Sequence, residues 1–81
     1  MLTPEQCRMG RAALKWEIRT LAAKANVAFS TVSRFELGKA SPNAATLTVL
    51  RMAMEAAGVE FKDGDVRLRP EALKRKRGEN A

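Results

Sequence analysis

The stretch Thr20–Gly38, TLAAKANVAFSTVSRFELG, leaves this chain few ways to fold. Leu21, Ala22 and Ala25 fall on one helical face, at steps of one, three and four residues. Val32 and Phe35 repeat the three-residue step on a second segment. Between the two, Asn26 tolerates a left-handed backbone better than most residues and can turn the chain without glycine. Ala22 carries only a methyl group, so a second helix can cross close over the first. Gly38 closes the unit as a helix C-cap. The stretch therefore predicts two short helices joined by a tight turn.

The flanks predict two further helices. Thr3-Pro4-Glu5-Gln6 is a start signal: Thr3 caps, Pro4 fits the first helical position, Glu5 favours the positive helix end and Gln6 completes a capping box. The apolar face that follows is Cys7, Gly10, Ala13 and Leu14, with Arg8, Arg11 and Lys15 away from it and Trp16 ending the helix under the next one. Asn43, after the Gly38–Pro42 loop, should cap a helix over AATLTVLRMAMEAAG that Gly58 ends. Leu47, Leu50, Met54 and Ala57 make one apolar stripe of that helix, and Val49, Met52 and Ala56 a second, which needs covering by the C-terminal segment or by a second subunit. Val59-Glu60-Phe61 and Val66-Arg67-Leu68 alternate apolar and polar around Asp63-Gly64, a hairpin signal.

The pattern L-A-x-x-A-N-V-x-x-S-T-V-S-R-F-E-x-G over residues 21–38 resembles the helix-turn-helix of the Xre/Cro, lambda-repressor-like regulators. Many spacings match at once between about Cys7 and Leu68. The resemblance implies an all-α, four-helix domain; here a short C-terminal β-hairpin stands where many such domains carry a fifth helix. Four positions depart from the family. Asn26 replaces the usual turn glycine, Ala28 the serine that caps the second motif helix, and Glu17-Ile18 the Ser-Gln pair that opens the first.

In that family the helix over residues 28–37 enters the major groove. Its outward residues here are Phe29, Ser30, Ser33 and Arg34, the expected base contacts. Arg34 can donate two parallel hydrogen bonds to guanine O6 and N7, Ser30 and Ser33 permit close approach, and Phe29 can press on a thymine methyl. The alternatives are that Phe29 folds back onto the core, and that Arg34 pairs with Glu36 or meets a phosphate. Expected phosphate contacts are Arg19 (or else a solvated face), Thr31, Lys39, Ser41 and Asn43. Glu17 would repel a phosphate at the start of its helix and instead caps that helix, while Glu36 reads as structural, orienting an arginine such as Arg11.

Composition bounds the rest. The 81 residues make one small domain, residues 1–69, followed by a basic tail over 70–81 with no expected fixed structure, which includes Lys74-Arg75-Lys76-Arg77. A net charge of +6 suits a polyanionic partner. Cys7 is the single cysteine and histidine is absent, so the common nucleophile–His and metal–His arrangements are excluded; no metal, cofactor or enzymatic activity is expected. One cysteine cannot form an internal disulfide, and the start of the chain lacks a signal-peptide pattern, so a cytoplasmic, nucleoid-associated location is expected. No apolar run approaches the ~20 residues that cross a bilayer.

Together these readings predict a homodimeric repressor that binds double-stranded DNA at an inverted-repeat operator. The competing expectation is a protein-interaction module on the same fold, an antitoxin or antiactivator. A weaker one is a non-specific nucleoid or RNA-binding protein driven by the basic tail.

Overall fold

The computed structural model describes residues 1–62 and 64–70. Its elements run α1 (Pro4–Leu14), α2 (Ile18–Ala25), α3 (Phe29–Glu36), α4 (Ala44–Ala56), β1 (Val59–Lys62) and β2 (Asp65–Leu68). The all-α domain with a C-terminal hairpin is therefore present. Residues 71–81 of the expected basic tail lie outside the described residues, as does Asp63 of the hairpin signal.

Local chemistry sets the starts of α1 and α4 and the ends of three helices. Thr3 caps α1 by accepting from the Gln6 amide, and the Gln6 side chain accepts from the Thr3 amide, closing the capping box. Asn43 caps α4 by accepting from the Thr46 amide at 2.8 Å. Three helix ends share one device. Lys15, Asn26 and Gly38 take positive φ, and the amide after each one reaches back to Arg11, Ala22 and Arg34 respectively. This is the six-to-one bond of a Schellman ending. Asn26 does what its position predicts. Lys15 corrects an expectation: α1 stops at Leu14, so Trp16 follows the helix instead of ending it.

The core draws on all four helices and β1, with Val66 and Leu68 of β2 packed against it. Cys7 and Leu14 come from α1, Leu21 and Ala22 from α2, Val32 and Phe35 from α3, and Leu47, Leu50 and Met54 from α4, joined by Leu2 and Val59. Leu21, Val32, Leu50 and Met54 are fully buried, each contributing about 1.5–3 kcal/mol relative to exposure. Leu2 was not anticipated; it is buried at the position just before the Thr3 cap, where a hydrophobic staple places an apolar side chain. Trp16, Ile18, Ala25 and Val27 pack at the edge of this core.

β1 and β2 pair antiparallel, Val59 opposite Leu68 and Phe61 opposite Val66, and Gly64 between the strands has φ 85°. The hairpin lies against α1 and α4. Gly10 makes this possible: a Cβ there would sit 2.7 Å from Met54 Sδ and 3.1 Å from Phe61 Cζ. The Phe61 ring is also capped by the Arg51 guanidinium, 5.7 Å from its centroid. Two strands alone are marginal, and this contact supplies their support.

Candidate nucleic-acid interface

The outward face of α3 is set by what holds its inward face. Val32 and Phe35 anchor it apolarly, and Glu36 anchors it by charge. Glu36 is the one buried charged residue among those described. Its carboxylate accepts from Arg11 Nε and Nη2 at 2.8 Å each and from Cys7 Sγ at 3.1 Å. Arg11 Nη1 also donates to the Trp16 carbonyl at 2.9 Å. Arg8 donates to the Glu36 backbone carbonyl. One turn of α1 thus clasps the end of α3, and the same guanidinium ties in the link to α2.

This cluster bears out the structural reading of Glu36 with Arg11. It also corrects two expectations. Arg11 does not lie away from the core but is half-buried at its edge, because the buried carboxylate of Glu36 needs a cation beside it. The alternative pairing of Arg34 with Glu36 is absent, since Arg11 occupies both carboxylate oxygens. Arg8 was missed as a clasp. Its i,i+3 relation to Arg11 was the available signal, but a backbone-carbonyl partner leaves no trace in residue types.

With the inner side fixed, Phe29, Ser30 and Arg34 are exposed, while Thr31 and Ser33 are half-buried at the margins. The Arg34 side chain has no ion pair or hydrogen bond among the described residues. Phe29 does not fold back onto the core: it is 46% exposed, and the Arg19 guanidinium from α2 lies over its ring at 5.1 Å. Sequence reasoning placed these two residues on separate tasks; the fold stacks one on the other. Such a contact is worth ~0.5–1 kcal/mol at an exposed site and restrains both side chains.

The helix starts bear on anion binding. Ala28, the N-cap of α3, makes no side-chain cap, so nothing competes for the free amides there. Glu17 occupies the N-cap of α2 but makes no side-chain cap hydrogen bond, so the expectation that it caps its own helix fails. Its side chain is exposed. Lys39 and Ser41 are exposed on the loop after α3, beside the Schellman ending that fixes its path. Asn43 is exposed, but its Oδ1 is committed to the Thr46 amide, leaving only its NH₂ group for a partner.

Among the described residues no group of acidic, cysteine or histidine side chains could hold a metal. No described helix is long and apolar enough to cross a membrane. No curated protein matches the chain. A helix-turn-helix family model matches residues 8–55, which takes in most of α1, all of α2 and α3, and nearly all of α4. The matched span contains Arg8, Arg11 and Glu36 of the clasp, the turn and the outward helix just described, and on that basis the chain belongs to the Cro/C1-type, Xre-like helix-turn-helix family of DNA-binding transcription regulators.

Proposed function

We propose that the protein is a dimeric repressor that reads an inverted-repeat operator with α3. The observation that carries this reading is the contrast across α3. Val32, Phe35 and Glu36 are locked inward, while Arg34 stands exposed with no ion pair or hydrogen bond among the described residues. An arginine held on a rigid helix with its donors unused is suited to bidentate recognition of guanine. Phe29, braced by Arg19, supplies apolar contact to a thymine methyl, and Ser30 and Ser33 allow close approach. Arg19, Thr31, Lys39, Ser41 and the Asn43 amide take phosphates, with the open amides of α2 and α3 beside them.

One short helix offers few base contacts, each worth ~1–3 kcal/mol of discrimination, so two half-sites are needed for useful specificity. A two-fold dimer sets two such helices about 34 Å apart on one face of the duplex. Occupancy then follows protein concentration, as suits autoregulation.

The test is selection of bound duplexes from a random pool. Recovery of inverted repeats with a guanine whose preference relaxes in Arg34→Ala is the expected result. Winners without symmetry, or an unchanged preference in that variant, refute the reading. Equal binding of unrelated duplexes at moderate salt would indicate a non-specific binder instead.

A further inference from the structure

The outer face of α4 has no function in the reading so far, and its composition is unusual for a surface. Leu47, Leu50 and Met54 face the core. On nearly the opposite side lie Ala45, Val49, Met52 and Ala56, all exposed, with Met52 at 58% and Val49 at 39%. Thr48 flanks them. The chain is 30% charged, yet no charged residue falls on this face. The two charges of the helix, Arg51 and Glu55, sit at its margin and neutralise each other at 2.9 Å. A helix apolar on both sides is normally covered on both.

The order of residues says what covers it. Ala45, Val49, Met52 and Ala56 are spaced four, three and four apart, the same read in either direction. Laid antiparallel on a copy of itself, the face sets Ala45 against Ala56 at both ends and Val49 against Met52 at the centre. Small residues meet at the ends, where the helices can close to the short end of the usual 8–10 Å separation, and the larger pair fills the middle. This is the self-complementarity that a two-fold interface requires.

We infer that the outer face of α4 is the subunit interface, joining two copies through an antiparallel α4–α4 contact centred between Val49 and Met52. This rests on the dimeric reading above and assigns its interface to α4, not to the hairpin. The hairpin is already engaged with α1 and α4 of its own chain. The 13-residue helix is only about 20 Å long. Its stripe buries less than the ~800 Å² a side of a standard interface, so the free dimer is weak and is strengthened by DNA.

Cysteine trapping tests the register. Ala45→Cys mixed with Ala56→Cys should form a disulfide-linked heterodimer under mild oxidation, which accumulates even a weakly populated dimer. Ala45→Cys alone should not, because its two copies would lie about 17 Å apart along the helices at 1.5 Å per residue. The native Cys7 is buried and does not compete. No cross-link in the mixture, or one formed equally by Ala45→Cys alone, overturns the inference. A second variant reads function. Met52→Glu, with its helical circular dichroism unchanged, should bind a single half-site as the parent does. It should bind the selected inverted repeat about 100-fold more weakly, having lost the advantage of two linked sites. Full binding to the inverted repeat by Met52→Glu overturns the α4 interface while leaving the dimeric repressor standing. A parent protein that itself favours single half-sites overturns both.

Discussion

Both carboxylate oxygens of Glu36 are held by the guanidinium of Arg11, Nε to Oε2 and Nη2 to Oε1, at 2.8 Å each. The pair joins the end of the outward helix α3 to α1. Removing one partner strands a buried charge, which costs far more than the intact pair contributes. Arg11→Ala should therefore lower unfolding free energy by about 3 kcal/mol, the low end for such a loss because Arg11 is partly solvated. Glu36→Gln should cost a similar amount, since its amide would turn donors toward Arg11. Chemical denaturation of the two variants measures both, and a loss under about 0.5 kcal/mol, typical of an ordinary surface site, would contradict the clasp.

Cys7 donates to the same carboxylate. Burial first, then the hydrogen bond to Glu36, pushes its thiol above the ordinary value of 9.0. The folded state therefore holds this proton more tightly than the unfolded chain. Its contribution to stability is fully present below about pH 9 and is lost progressively as pH rises past that value. A Cys7→Ala variant should show a weaker decline above that pH in urea titrations. In the native protein, reaction with a thiol reagent at neutral pH should proceed only at the rate of unfolding.

Gly10 lies where α1, α4 and the hairpin meet. Gly10→Ala gains helix propensity of about 1 kcal/mol but drives a methyl into Met54 and Phe61. Overpacking of this kind costs ~1–3 kcal/mol, so the expected net effect is a loss of about 1 kcal/mol. Combining it with Phe61→Leu should recover part of that loss, both changes being read by chemical denaturation. A stabilised Gly10→Ala would show that the hairpin is free to move off α1.

Asn43 has two claims on it, a helix cap and a phosphate. Asn43→Ala should lose about 1 kcal/mol of stability through the cap alone. Asn43→Ser restores the cap acceptor without the amide donors. If the phosphate contact is real, Asn43→Ser should keep the parent's melting temperature and still bind DNA more weakly. Parental affinity in that variant would leave Asn43 with the cap only.

Lys39 and the Arg19–Phe29 pair should separate by salt and by sequence. Lys39→Ala should weaken all duplexes alike and reduce the slope of log affinity against log salt by about one. Phe29→Ala should leave the slope unchanged and erase preference at one base pair, through loss of contact with a thymine methyl. Arg19→Ala should do both in part, because the same side chain braces the ring and carries a charge. Identical effects of Arg19→Ala and Lys39→Ala would deny the stack any role in readout.

The elements and their order were legible in residue type and spacing, because their determinants are local. A capping box needs only Thr3 and Gln6, a left-handed turn needs an Asn26, and a hairpin needs two alternating runs around a Gly64. The inward residues of α2 and α3 followed from helical period for the same reason. What the linear pattern could not convey was which distant side chains would meet. Arg11 and Lys15 look alike on a helix drawn by itself, yet one is half-buried against Glu36 and the other turns the chain with φ 58°. Arg19 and Phe29 belong to different helices, and only the angle at which α2 and α3 cross lays one on the other. Local sequence determined the parts of this protein, while burial of a single carboxylate and close approach over Gly10 decided how those parts were oriented, since both depend on neighbours that only the folded chain supplies.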